Sequence, residues 1–112
     1  MEISQYDIHL VDLNAYGGSE PTGAEISKIR PCVVISPDEM NRYLKTLVVI
    51  PMTTRPKAYP TRVRIRHNQK TGWMAVDQIR TVDRKRVKKR LGRITNPEIR
   101  KLKNVIRETY VD

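Results

Sequence analysis

The stretch VVIPMTTRPKAYP, residues 48–60, begins as an apolar strand and ends in hydroxyls, cations and prolines. Its run from Val48 to Met52 is rich in β-branched residues and has no helical period, which predicts a strand. The strand end presents Thr53, Thr54 and Arg55, so that hydroxyl groups lie beside a cation on a backbone stiffened by prolines. This arrangement suits an oxyanion such as a phosphate. The same residues are also explained by an ordinary junction between a strand and a loop, in which the threonines are turn residues.

The segments around this stretch predict mostly β structure. Residues 5–13, QYDIHLVDL, alternate in the period of a half-buried strand, and residues 61–67, TRVRIRH, alternate so that one face is strongly basic. A loop rich in Gly, Ser and Pro is predicted at residues 15–28, and residues 37–45 have room for one helical turn. Four further strands are predicted, at residues 31–36, 46–52, 72–83 and 89–94, the last interrupted by Gly92.

The carboxyl-terminal residues change to a helical pattern. Thr95 and Glu98 fit a capping box, with Pro97 in the first turn, where its missing N–H costs nothing. Five or six short strands with one terminal helix indicate a mainly β fold, a small and strongly curved barrel with a C-terminal α-helix packed on it. With 112 residues the chain forms a single domain, residues 1–112. One stripe of the helix is expected to face the core: Ile99, Leu102, Val105, Ile106 and Tyr110.

Composition argues against several classes of protein. The longest apolar runs fall far short of the roughly 20 residues that span a bilayer, so no membrane partner is expected. The first ten residues lack the basic start and apolar run of a signal peptide, and we therefore expect a cytoplasmic protein. One cysteine, Cys32, excludes an internal disulfide, and two histidines are too few to favour a zinc site.

The charge of the chain is strongly positive. It has 22 Lys and Arg against 12 Asp and Glu, a net charge of +10. The segment from Arg84 to Arg107 alone contains 11 basic residues and one acid, Glu98. Such a balance favours a polyanionic partner, most often nucleic acid. A solvated, solubilising surface explains the same run of charge, and both interpretations stay open.

Four segments in order resemble the MazF/PemK (Kid) family of toxin endoribonucleases: GSE, RPCVVIS, IPMTTRPKAYP and AVDQIRTVD. The resemblance runs from about Tyr6 to the terminal helix and is closer to the MazF branch. It implies an SH3-like barrel of the CcdB/PemK type, a homodimer, and cleavage of single-stranded RNA at short sequences with no metal or cofactor. It also implies a cognate antitoxin whose acidic segment covers the RNA groove, and DNA binding by the antitoxin complex.

The same resemblance assigns the catalytic residues. Arg30 matches the arginine that precedes the family's proline, Thr53 matches the catalytic threonine, and Glu20 matches the acid of the GSE loop. In attack of a ribose 2′-OH on the adjacent phosphate, Arg30 would neutralise the phosphorane and Thr53 would donate a hydrogen bond. Glu20 is the candidate base, although an ion pair within the loop explains it equally well.

Two departures from the family matter. The loop between Gly18 and Arg30 carries an insertion, EISK. In the PemK/Kid branch an arginine and a histidine stand where this chain has Ala75 and Ser19, so the acid and base of that branch do not transfer.

Eight further residues are predicted to bind RNA. Among them Tyr59 would either stack on a base or pack in its loop. Asp77 and Gln78 match the family's Asp-Gln and would equally tie loops together. Trp73 and Cys32 are expected in the core, while His9 and His67 fall on no family motif and are left out. The predicted RNA-binding residues are Thr54, Arg55, Lys57, Tyr59, Arg62, Asp77, Gln78 and Arg80.

Two other functions compete with this hypothesis. A non-catalytic barrel that binds nucleic acid would use the same cations but would not need Arg30 together with Thr53. A CcdB-like toxin would act on a protein target, as CcdB poisons gyrase. The terminus here, RETYVD, lacks a matching motif.

Overall fold

A computed structural model describes residues 2–14, 26, 28–55 and 59–112 of the chain. Within these ranges the protein is mostly β, as predicted, with two α-helices and short helical turns. The elements in order are β1 (Asp7–Asp12), β2 (Ile29–Val34), α1 (Asp38–Tyr43), β3 (Thr46–Thr53), β4 (Arg62–His67), β5 (Lys70–Ala75), β6 (Arg80–Asp83), β7 (Val87–Arg93) and α2 (Asn96–Ile106), which continues as a helical turn, Arg107–Val111.

The strands form one curled antiparallel sheet. Its order is β4, β5, β3, β2, β1, β7, and β6 also pairs with β3. One edge of β3 pairs with β2, and its other edge pairs with β6 at its start and with β5 at its end. Because β3 pairs with three other strands, the sheet curls around it. The predicted curved barrel with a terminal helix is confirmed.

The predicted strand over residues 72–83 is wrong as a single element. The structure breaks it into β5 and β6 with a 3₁₀ turn, Val76–Gln78, between them. Both pieces lie along the same edge of β3, but their registers differ by three residues, the length of the turn. No glycine or proline stands at the turn, so the sequence does not mark the interruption. The described part of the chain contains seven strands, against the predicted five or six.

Apolar side chains cover both faces of the central strands. On β2, Cys32 and Val34 point into one core cluster, whereas Val33 between them points into the other. The first cluster is closed by β6 and β7, and the second by the β4–β5 hairpin and α2. Burial on both faces explains why the apolar run at residues 47–52 shows no alternation.

The terminal helix is capped and packed as the sequence predicts over most of its length. Thr95 and Glu98 form the capping box, and the second carboxylate oxygen of Glu98 accepts from the Arg66 backbone N–H at 2.9 Å, which ties the helix to β4. Leu102 is buried, and Ile99, Val105 and Ile106 pack on the second cluster. Tyr110 departs from the prediction. It is 51% exposed, and its hydroxyl donates to the Val76 carbonyl at 2.8 Å.

No helix in the described ranges is long and apolar enough to span a membrane.

Gly92 lies where the β4–β5 hairpin meets β7. A Cβ atom at this position would stand 2.6 Å from Cε1 of His67, so the imidazole ring lies directly on the glycine backbone. This contact and the φ angle of Gly92, +157°, together explain the glycine that interrupts the β7 pattern. It also holds the end of β4 against β7.

We expect Gly92→Ala to lower the free energy of unfolding by about 1–3 kcal/mol, because the added methyl displaces the His67 ring. Urea unfolding measures the change. In a His67→Ala background the same substitution should cost clearly less, since the clash is gone. An equal cost in both backgrounds would show that the ring is not what excludes a side chain at Gly92.

His9 is fully buried in the middle of β1, between Cys32 of β2 and Arg90 of β7. Neither ring nitrogen has a hydrogen-bond partner among the described residues, and Nε2 lies 3.8 Å from the Asp7 carboxylate. Burial lowers the pKa of His9 below 6.5, and Arg90 lowers it further, while Asp7 opposes both. Near pH 6.5, His9 is therefore neutral in the folded chain, whereas it begins to take up a proton in the unfolded chain.

Since the unfolded state then binds more protons than the folded state, stability should fall as the pH drops below about 6.5. The unfolding free energy of the wild type and of His9→Gln, each measured at pH 7.5 and pH 5.5, checks this. The wild type should lose more stability than the variant. An NMR titration of the His9 ring in the folded wild type should independently give a midpoint below 6.5, and a midpoint above that value would contradict the assignment.

Candidate active site

Arg30 and Thr53 approach each other across the β2–β3 ladder. The ladder pairs Cys32 with Pro51, and the same register carried two residues further would set Arg30 opposite Thr53. The pairing with β2 ends at Pro51, while the other edge of β3 pairs with β5, where Thr53 lies across from Trp73. The two strands therefore separate just where the two side chains stand, and a space opens between them.

This space is a pocket of about 250 Å³ that both Arg30 and Thr53 line. Thr54 lines it too, so three residues predicted for the site meet there. We call it the Arg30–Thr53 pocket. Its apolar wall comes from Pro31, Met52 and Leu91, and its far wall from the β4–β5 hairpin, at His67, Asn68 and Lys70.

The backbone around Thr53 is closely packed. The Thr53 hydroxyl oxygen accepts from the Arg55 N–H at 3.2 Å, a local turn that begins the exit from β3. This bond uses an oxygen lone pair, so the hydroxyl hydrogen remains a donor. On the other side, a Cβ atom at Gly72 would stand 3.2 Å from the Thr53 carbonyl oxygen, a tight contact that the glycine avoids.

Asp77 is engaged by neighbouring side chains. It accepts from the Thr61 hydroxyl at 2.9 Å and from Nε and Nη2 of Arg62 at 3.0 and 3.1 Å. The guanidinium of Arg62 also lies 5.6 Å from the centre of the Tyr59 ring, which is half exposed. We call Tyr59, Thr61, Arg62 and Asp77 the Asp77 cluster. In it, one carboxylate orients the arginine beneath an exposed aromatic ring.

Gln78 links the loop before β2 to β6. Its side-chain oxygen accepts from the Ile26 backbone N–H at 3.3 Å and from Arg80 Nη2 at 3.0 Å. Burial raises the pKa of the Cys32 thiol to about 12, and the charge of Arg80 acts in the opposite direction. Cys32 lies two residues from Arg30 in the sequence. A thiol with such a pKa is neutral and unreactive, as expected for this cysteine.

The remaining predicted residues are placed as follows. Arg55 is exposed just beyond Thr53. Glu20 and Lys57 lie outside the described residues, as does most of the inserted loop. Trp73 is half-buried opposite Thr53.

His67 was not among the site residues predicted from the sequence, but in the structure it lines the pocket. The available signal was the pair Asn68-Gln69 between two strands, which marks a tight hairpin. It does not reveal which other strands the hairpin will contact. Among the described residues no three His, Cys, Asp or Glu side chains form a group that could hold a metal ion.

Comparison with known proteins agrees with this geometry. Residues 4–110 match the model of a family described as PemK-like, MazF-like toxin of type II toxin-antitoxin system. A curated relative, Endoribonuclease MazF of Staphylococcus saprophyticus, is 33% identical over 106 residues, which cover 89% of this chain and 84% of that protein. The chain belongs to this family of toxins, and its identification from the sequence as a MazF/PemK-type toxin endoribonuclease is confirmed.

Solved structures share the fold. MazF from Deinococcus radiodurans superposes with a TM-score of 0.79 at 20% identity, covering 96% of each chain. An endoribonuclease from a mycobacterial species, solved in complex with its cognate antitoxin, gives a TM-score of 0.75 at 20% identity and covers 95% of this chain and 92% of that one.

We expect Asp77→Ala to destabilise the protein by about 1 kcal/mol, because it leaves the largely buried Arg62 guanidinium without its carboxylate, while partial exposure limits the loss. Chemical unfolding measures this. Asp77→Asn, which keeps an acceptor for Thr61, should cost less. If both variants unfold like the wild type, the ion pair adds no stability and Asp77 is available for another role.

Proposed function

We propose that the protein is a metal-independent endoribonuclease that cleaves single-stranded RNA at short sequences. In this reaction a ribose 2′-OH attacks the adjacent phosphorus, the 2′-oxygen to phosphorus bond forms, and the bond to the 5′-oxygen breaks. The products are a 2′,3′-cyclic phosphate and a free 5′-hydroxyl. The observation that carries the proposal is the convergence of Arg30 and Thr53 on one pocket at the point where β2 and β3 separate.

Arg30 is suited to stabilise the phosphorane. A guanidinium donates two parallel hydrogen bonds to phosphoryl oxygens, and its fixed positive charge offsets the extra negative charge of the transition state. It does not act as a base, because arginine stays protonated in proteins. Arg30 is exposed at the start of β2, where an RNA chain that crosses the strand ends can reach it.

Thr53 supplies a second donor. Its hydroxyl hydrogen would bond a nonbridging phosphate oxygen while its lone pair keeps the turn to Arg55. The pairing of Thr53 with Trp73 fixes the backbone that carries this side chain, so that little reorganisation is needed when the phosphorane forms.

We assign removal of the 2′-OH proton to a residue of the loop that precedes β2. Glu20, on the GSE segment, is our candidate for the base that takes the 2′-OH proton.

RNA contacts would extend from the pocket along the strand ends. Thr54 and Arg55 continue from Thr53, and Lys57 follows them. In the Asp77 cluster, Tyr59 offers a face on which an unpaired base can stack, with Arg62 held behind it. Gln78 and Arg80 add an amide and a cation near the start of β2.

The partners follow from the family. The chain is a toxin of a type II toxin-antitoxin family, and a mycobacterial structural relative has been solved with its cognate antitoxin. We propose that a cognate antitoxin with an acidic segment inhibits this toxin by covering its cationic groove, that their complex binds DNA, that the toxin is a homodimer, and that it acts in the cytoplasm.

The test is cleavage of a labelled single-stranded RNA in the presence of EDTA. Arg30→Ala and Thr53→Ala should each lower the cleavage rate by on the order of a hundredfold or more, because each removes a donor to the transition state. Thr53→Ser should retain most of the activity, since it keeps the hydroxyl. Thr81→Ala, an exposed position on β6, is the matched control and should cleave at the wild-type rate.

Circular dichroism and unfolding curves establish that each variant is folded. Binding without cleavage by the wild type would favour a non-catalytic nucleic-acid-binding barrel. Full activity of Arg30→Ala would remove the arginine from the mechanism.

A further inference from the structure

We infer that the inner part of the Arg30–Thr53 pocket is a subsite for one unpaired nucleobase of the RNA, read by the β4–β5 hairpin. The inference rests on the proposed function, and it adds a specificity determinant that the family motifs of this chain do not contain. It assigns Asn68 as the residue that contacts the base edge, with His67 as part of the wall.

The position of the pocket selects its occupant. Arg30, Thr53 and the β4–β5 hairpin line the same pocket, so a chain whose phosphate rests on Arg30 and Thr53 has its neighbouring nucleotide beside the hairpin. Sequence-specific recognition of single-stranded RNA usually splays bases out of the strand and inserts them between side chains. The subsite is therefore continuous with the site of chemistry.

The size and lining fit one base. At about 250 Å³ the pocket lies just below the roughly 300 Å³ at which pockets for drug-sized ligands begin, so it accommodates a single planar ring system. Pro31, Met52 and Leu91 supply apolar surface for the faces of the ring. The bare backbone at Gly72 leaves room beside them.

The hairpin supplies polar groups for the base edge. His67 pairs with Lys70 across a two-residue turn, in which Asn68 and Gln69 have positive φ angles of 50° and 63°. Asn68 lines the pocket, whereas Gln69 is not among the lining residues. A carboxamide presents a donor and an acceptor side by side, the pattern that base edges complement.

His67 gives an independent sign that a partner is missing. Its Nε2 atom is buried and has no hydrogen-bond partner among the described residues, although the side chain lines the pocket. Buried polar atoms are normally satisfied, so this atom calls for an explanation, and a water molecule or a ligand atom that enters from the pocket would supply one.

Cleavage-site mapping on a random single-stranded RNA pool tests the inference. The wild type should show a base preference at one position next to the cleaved bond that depends on Asn68. Asn68→Gly keeps the backbone conformation of the turn and removes the amide, and it should reduce that single preference by about fivefold or more. Asn68→Asp removes the donor and should redirect the preference toward a base edge that donates.

Gln69→Gly is the matched control. It makes the same change at the neighbouring turn position, outside the pocket, and should leave every preference as in the wild type. If Asn68→Gly lowers cleavage equally at all sequences, or leaves the preferences unchanged, the hairpin does not read a base and the inference is overturned.

A binding selection separates this result from failure of the proposed function. The same pool made with 2′-O-methyl nucleotides lacks the attacking hydroxyl and is not cleaved. Enrichment of one base at one position, lost in Asn68→Gly, would support the subsite even if the wild type cleaved no RNA. Absence of any enrichment that depends on Asn68 would overturn the subsite even if the wild type cleaved RNA well.

Discussion

The fold depends on the pairing of β3 along both of its edges. One edge is taken by β2, and the other is shared by β6 and β5 in succession. The change from β6 to β5 requires the chain to shift by three residues, which the 3₁₀ turn Val76–Gln78 absorbs. Because β2 stops pairing with β3 near the same level, the two strands separate at the end where Thr53 lies. The opening of the candidate active site is thus a direct consequence of how the sheet curls.

The acidic residues of this basic protein hold the structure together. Asp7 binds Arg90 and lies within 3.8 Å of Arg93, Asp77 binds Arg62, and Glu98 both caps α2 and accepts from β4. These three carboxylates thereby order cations and backbone groups at the surface. With a net charge of +10, the exposed remainder is dominated by Lys and Arg, which suits a polyanionic substrate.

The pocket combines elements from four parts of the chain. Arg30 comes from β2, Thr53 from β3, the polar wall from the β4–β5 hairpin, and Leu91 from β7. The contact of His67 with Gly92 fixes the hairpin in this position. Gly92 in β7, remote in sequence from Arg30 and Thr53, therefore shapes the wall of the pocket.

Sequence alone was sufficient for the family, the β-rich class and the capped terminal helix, and it selected Arg30 and Thr53, which line one pocket and whose catalytic roles are proposed. Each of these depends on local signals: alternation, a capping box, or short motifs in a fixed order. Three features required the tertiary structure. The break between β5 and β6 has no glycine or proline at the turn to mark it. Tyr110 continues the apolar stripe of α2, but its side chain is half exposed and its hydroxyl donates to the Val76 carbonyl. His67 and Asn68 line the pocket because the β4–β5 hairpin packs on β7, which is far from it in sequence. The sequence of a hairpin determines its own turn but does not determine the surface on which the hairpin packs.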